Sequence, residues 1–216
     1  MKIDLHTHTT VGSGCAYMEP DQLVRQAKLA DLDGVCITEH DQIWRPASIQ
    51  RLRERHDFLV IGGVEVRTDI GEVLVFGLHQ SVVAVYDIHD LKKMVDRAGG
   101  VMVLAHPFRS EPDLVAGFSA DRPPAPDLVR YCDQPDFGLL DGVEVMNGRS
   151  GFNEKRLAEF LAERLKLGGT GGSDAHAILS VGTCYTVFPD HVRSEQDMIA
   201  CIKSGQYHAV DARWRE

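Results

Sequence analysis

Positive charge is in short supply in this chain. Its 23 lysines and arginines face 32 aspartates and glutamates, a formal net charge of -9, which disfavours broad attraction to nucleic acid or an anionic membrane. An anionic substrate is not excluded, because bound divalent cations would reverse the field inside a site. No apolar stretch reaches the roughly 18 residues that a membrane span requires. Met1-Lys2 leads straight into a strand-like segment without a signal-peptide layout. Cytoplasmic residence is therefore expected, with no membrane partner. Cys15, Cys36, Cys132, Cys184 and Cys201 form no C-x-x-C pair, and their odd number argues against a disulfide framework. Internal repeats, low-complexity tracts and an interdomain linker are also lacking. One domain over residues 1–216 is expected, with a closing helix and tail from about 190 to 216. Its 44% hydrophobic and 25% charged fractions suit a globular fold with a sizeable core.

What the chain does have is short apolar runs alternating with helix-patterned segments. Strand-like runs are Lys2 to Leu5, Gly34 to Thr38, Phe58 to Val66, Val73 to Leu78, Val101 to Ala105, Gly142 to Met146 and Leu167 to Gly172. Most lack strict alternation, as parallel strands buried on both faces do. Helical spacing marks Pro20 to Asp33, Pro46 to His56, Ile88 to Ala98 and Asn153 to Lys166. Strands alternating with helices predict right-handed βαβ units and a parallel sheet, closed or nearly closed into an α/β barrel. Thr183 to Phe188 is expected to add a strand beside it, and Glu195 to Ser204 a closing helix. Phe108 to Pro126, rich in proline, is the longest weakly patterned segment, either a lid or substrate loop or a surface connection.

Five of the runs finish in metal-ligand types. His6-Thr7-His8 closes the first, His40 follows Ile37-Thr38-Glu39, Glu65 follows Gly62-Gly63-Val64, His106 follows Val103-Leu104-Ala105, and Asp174-Ala175-His176 closes the last. Residues i and i+2 of a strand point to one side, so each doublet can aim both side chains at one point. In barrels of this kind chemistry sits at the carboxyl ends of the strands, where these positions fall. Imidazole and carboxylate suit Zn²⁺, Mn²⁺ or Fe²⁺. Five imidazoles and two carboxylates exceed the needs of one four-coordinate ion. At least two ions are expected, with Glu65 suited to bridge them. Such pairs hold a phosphate, activate a water and stabilise a leaving oxygen.

Asp4-Leu5-His6-Thr7-His8, Thr38-Glu39-His40-Asp41, Glu65, Leu104-Ala105-His106-Pro107 and Gly172-Ser173-Asp174-Ala175-His176 together resemble the motif series of the polymerase-and-histidinol-phosphatase (PHP) family. The resemblance runs from Lys2 to about Phe188. It implies a distorted (β/α)7 TIM-like barrel, two or three ions of Mn, Fe or Zn, and hydrolysis of phosphoesters. By the resemblance, His6, His8, Glu65 and Asp174 would hold one ion. Glu65 and His106 would hold a second, and His40 with His176 would help hold a third.

Two departures from the family pattern stand out. Relatives often carry an aspartate about five residues after the second histidine of the opening motif; Ser13 stands there, with Cys15 nearby. Many also carry a histidine on the strand after the bridging glutamate. Glu72 is the expected replacement, because it begins that strand near the loop after Glu65. His79, at the strand's other end, is the alternative, on the wrong rim if the strand runs parallel to its neighbours.

Arg109, close after His106, is favoured over Arg149 as a grip on phosphate oxygens. His40 or His176 could serve as general acid rather than ligand, and Asp41 could orient His40 or cap a helix. The expected function is hydrolysis of a small phosphorylated substrate; acidic charge and short loops disfavour long nucleic acid. Amide or ester cleavage on the same ions, or a metal-binding module without catalysis, are the alternatives.

Overall fold

The computed structural model describes residues 1–214. Nine strands form one sheet in the order β7-β6-β5-β4-β3-β2-β1-β8-β9. They are β1 (Lys2–Asp4), β2 (Gly34–Ile37), β3 (Leu59–Thr68), β4 (Gly71–Phe76), β5 (Val101–Leu104), β6 (Gly142–Asn147), β7 (Gly168–Gly172), β8 (Cys184–Val187) and β9 (His208–Asp211). Helices α1 (Pro20–Leu29), α2 (Pro46–His56), α3 (Ile88–Ala98), α4 (Pro112–Gly117), α5 (Pro126–Cys132), α6 (Phe152–Leu165) and α7 (Glu195–Ser204) punctuate them. The sheet curls until the chain after β7 meets the chain after β1, at a parallel bridge between Thr7 and Ala175. The result is a distorted α/β barrel, nearly closed. Among the described residues no helix is long and apolar enough to cross a membrane. The tail expected to 216 lies outside them at residues 215 and 216.

The expected parallel sheet needs correcting at three strands. β4 runs antiparallel to both β3 and β5, β8 pairs antiparallel with β1, and β9 pairs antiparallel with β8 at the edge. The reason at β4 is length. Only Asp69 and Ile70 separate Thr68 from its partner Gly71, and a parallel return needs a crossover of a dozen or more residues. The reversal decides which residue reaches the mouth. It brings the start of β4, with Glu72, to the carboxyl ends of β3 and β5, and sends His79 to the far end, where it faces Glu195 at 3.3 Å. A parallel run would have done the opposite, so it is the antiparallel direction, not a parallel one, that puts His79 on the wrong rim. The chain then climbs back, and Asp69 donates its N–H to Tyr86 carbonyl oxygen.

The period of two sorts side chains. Ile61, Leu74, Phe76, Val101, Val103 and Ala105 point into the barrel, where Met198, Ile199 and Ile202 of α7 pack beneath them. Val64, Val66, Val73, Val75 and Leu104 point outward onto α3 and α6. Glu65 continues the inward row of β3, and Glu72 that of β4. Each inner row is thus apolar over α7 and polar at the mouth. Phe108 to Pro126 contains α4, which packs on α6.

Closure depends on β7, whose sequence is Gly168-Gly169-Thr170-Gly171-Gly172. A Cβ on Gly172 would lie 2.4 Å from His6 Cβ and 2.8 Å from Glu144 Oε1. Gly172→Ala is therefore expected to destabilise the fold by roughly 1–3 kcal/mol, the usual cost of overpacking, read from urea unfolding of the metal-free protein. A stability equal to that of the parent would contradict this packing.

Candidate metal centre

All eight expected ligands are buried or half-buried where the strand ends converge, His40 and Glu72 being the most exposed, with side chains 39% and 34% open. Glu65 is the hub. Its Oε1 lies 3.0 Å from His106 Nε2 and 3.3 Å from His6 Nε2, and its Oε2 lies 3.3 Å from His8 Nε2 and 2.9 Å from His40 Nδ1. Asp174 Oδ1 sits 3.5 Å from His8 Nε2, 3.7 Å from His6 Nε2 and 3.4 Å from His176 Nδ1. Glu72 Oε2 is 3.6 Å from His106 Nε2. Four ligand trios have donor atoms within 4.8 Å of one another: His6, His8 and Glu65; His6, His106 and Asp174; His8, His40 and His176; and His40, Glu65 and Glu72.

Backbone geometry turns several of these residues inward. His106 and Asp174 take left-handed φ of 26° and 52°, and Asp41 one of 53°, conformations rare for residues with a Cβ and concentrated at functional sites. Asp41 accepts the N–H of Arg67; it neither orients His40 nor caps a helix. Cys15 is exposed and joins no ligand group.

The donor set fits divalent cations. Glu65 Oε2 is buried and, although His40 Nδ1 lies 2.9 Å away, receives no well-aligned hydrogen bond, a costly state that a cation would relieve. Burial opposes ionisation of Glu65, but the charge on His6 and the bond from His106 hold its carboxyl well below the usual range. Asp174 is likewise held low against burial, chiefly by the charge on His6 and by Arg109. His8 is pulled down to about 4, chiefly by burial. Both carboxylates are then ionised and His8 is neutral at pH 7, as ligation requires.

Behind these residues lies a layer that motif spacing did not reveal. Glu144, fully buried on β6, accepts from His6 Nδ1 at 2.9 Å and from the His106 N–H at 3.0 Å. Asn147 donates to the same carboxylate. The signal was a lone acid inside the apolar run Gly142 to Met146. Asp4 accepts the N–H groups of His6, Ser173 and Gly182, tying β1 to the last motif. Arg109 donates to Asp174 Oδ2 at 2.6 Å and to Asn147. Arg149, half exposed, lies 3.8 Å from Asp174 Oδ1.

Residues 152–207 match the PHP-associated family model. An uncharacterised protein of Methanocaldococcus jannaschii is 26% identical over 200 residues, covering 88% of this chain and 71% of that protein. Among solved structures, a two-domain protein from Bacteroides vulgatus containing a predicted PHP-like metal-dependent phosphoesterase superposes with a TM-score of 0.73 at 20% identity. The match covers 97% of this chain and 64% of that one, so the chain spans less than two thirds of it. An amidohydrolase from Chromobacterium violaceum superposes with a TM-score of 0.66 at 15% identity, covering 98% of each chain. At such identities the structures establish a shared fold.

Burial works against a charge on His6, but the carboxylates of Glu144, Glu65 and Asp174 outweigh it and hold the imidazole well above the ordinary histidine range. A ring protonated at neutral pH must lose that proton before Nε2 can face a cation. Binding of Mn²⁺ or Zn²⁺ near pH 7 is expected to release a proton, with affinity rising as pH climbs through neutrality. Calorimetric titration in buffers of different ionisation enthalpy reads this release; heats independent of buffer would contradict it.

Proposed function

We propose that this chain is a member of the PHP domain family, which the PHP-associated match over residues 152–207 and the shared fold support, and that it is a metal-dependent phosphoesterase acting on a small phosphorylated molecule. The observation that carries this reading is the pairing of cation donors with arginines at one mouth. His6, His8, His40, Glu65, Glu72, His106, Asp174 and His176 supply the donors, and the Arg109 and Arg149 guanidinium groups lie 2.6 Å from Asp174 Oδ2 and 3.8 Å from its Oδ1. Divalent ions held there would polarise a phosphoryl group, supply a nucleophile at neutral pH and offset charge on the leaving oxygen.

The protein's own groups do the rest. Arg109 donates to phosphate oxygens from the rim, and its bonds to Asp174 and Asn147 fix the fork in place. Arg149 adds a second positive charge over the same carboxylate. His40 and His176, at the outer edge of the cluster, are placed to deliver a proton to a leaving alkoxide or to complete an ion's ligand set. A polar cavity of about 390 Å³ opens beside Glu72, His106 and Arg109, lined also by Arg67, Tyr86 and Tyr131. It suits the alcohol portion of a small polar phosphoester. A larger cavity of about 650 Å³, beside Phe152 and Lys155, contains none of the donors and takes no part in this reading. The shared fold with an amidohydrolase supports amide or ester cleavage as a second reading, but two arginines favour phosphate.

Turnover separates the readings. A panel of phosphomonoesters, phosphodiesters, carboxyl esters and amides, assayed with Mn²⁺, Zn²⁺ and Fe²⁺, is expected to yield hydrolysis of a phosphoester. His8→Ala should abolish it while circular dichroism stays unchanged. Arg109→Ala should lower kcat/KM roughly 100-fold, the scale of losing one charge-stabilising donor. Cleavage of amides or carboxyl esters alone, or of nothing in the panel, would overturn the proposal.

A further inference from the structure

The serine at position 13, where relatives often have an aspartate, is not a free hydroxyl. Its Oγ is 1% exposed as a residue and donates to Glu39 Oε2 at 2.6 Å. It accepts from His8 Nδ1 at 3.1 Å and from the His40 N–H at 3.3 Å. A hydroxyl has one proton and two lone pairs, and all three are used. None is left for a cation.

Glu39 is used up in the same way. Its Oε2 also accepts the Thr9 N–H at 3.0 Å, and its Oε1 accepts from the Thr9 hydroxyl and from Trp44 Nε1. The carboxylate is fully buried, with four donors pointed at it. The loop above is shaped to cover it: a Cβ on Gly12 would lie 2.6 Å from Glu39 Cγ.

We propose that Ser13 and Glu39 form a positioning relay that fixes the tautomer and tilt of His8, so that its Nε2 presents a lone pair to the metal centre. The direction of donation allows one tautomer. Glu39 has only acceptors, so Ser13 must donate to it, and His8 must then donate from Nδ1. His8 Nε2 is left as the acceptor among His6, Glu65 and Asp174, at 3.1, 3.3 and 3.5 Å. Glu144 backs His6 Nδ1 directly, so each histidine of the opening pair rests on a buried carboxylate, one through a hydroxyl and one without. Because Ser13 also holds the His40 N–H, it links the first two motifs at one atom. The relay rests on the metal-centre reading and assigns positioning, not ligand, roles to Ser13 and Glu39.

The test measures Mn²⁺ affinity from the electron paramagnetic resonance signal of free ion, with thermal melting of the metal-free protein alongside. Ser13→Ala should weaken binding roughly 10- to 100-fold, the range for losing a partner that orients a ligand. Thr9→Val, which removes a bond to the other oxygen of Glu39, should leave affinity within about twofold while lowering the melting temperature, since the relay through Oε2 stays intact. Nitrogen shifts of the His8 ring in the Zn²⁺-loaded protein should report one tautomer in the parent and a mixture in Ser13→Ala. Should Ser13→Ala fail to fold, Glu39→Gln carries the same expectation of weakened binding. Affinity unchanged in the folded relay variant, or an equal loss in Thr9→Val, would overturn the relay and leave the metal centre standing. A parent protein that binds neither Mn²⁺ nor Zn²⁺ would overturn both.

Discussion

The mouth of this barrel is held by backbone hydrogen bonds that join strand ends past the last regular rungs. The His8 N–H meets Ala175 carbonyl oxygen at 2.9 Å, and Thr38 donates to Thr7 at 2.9 Å. Glu65 donates to Glu39 at 3.0 Å, Ala105 to Glu72 at 2.9 Å, and Gly148 to Gly172 at 3.0 Å. Four of these bonds join one ligand-bearing segment to the next, and the fifth ties the Asp174 segment to β6, which carries Glu144 and Asn147. Side chains distant in sequence can share a few ångströms only if the segments that carry them keep a fixed spacing, and rigid elements hold such geometry better than loops. Gly172 of β7 makes the closing step possible, because a side chain there would stand where His6 and Glu144 pack.

Charge follows the same architecture. Asp4, Glu39, Glu65, Glu144 and Asp174 are all at most 2% exposed, and unpaired buried carboxylates are costly. Four of them meet dense sets of N–H and O–H donors or an arginine. Glu65 is the exception, with one oxygen that receives no well-aligned hydrogen bond at the centre of the imidazoles. An acid left in that state inside a ring of nitrogen donors is complementary to a cation. Part of the acidic balance of the composition therefore lies in the interior of the mouth, while the two arginines stand at its edge.

Much of this was legible in the sequence, and the physical reasons are local. Apolar runs ending in His, Glu or Asp locate both the strand and its rim, so His6, His8, His40, Glu65, His106, Asp174 and His176 fall where the run endings put them. The ranges of α2 and α3 follow from helical spacing and emerge unchanged. Strand direction was less accessible. The gap between Val66 and Val73 leaves no room for a crossover, and that shortness was the available clue to the reversal of β4. β9 escaped because His208-Ala209-Val210-Asp211 is short, half-buried and polar at both ends. Glu144 and Glu39 escaped for a different reason. An acid in a strand or just past its end reads the same whether it faces solvent or a histidine, and only the closed barrel decides the face.

Diffraction from crystals grown with Mn²⁺ or Zn²⁺, recorded at the absorption edge of the metal, addresses the convergence most directly. Anomalous peaks are expected in the mouth, with at least two ions sharing Glu65 and the imidazoles of His6, His8 and His106 around them. A mouth without anomalous density while the same crystals hold metal elsewhere would contradict the account.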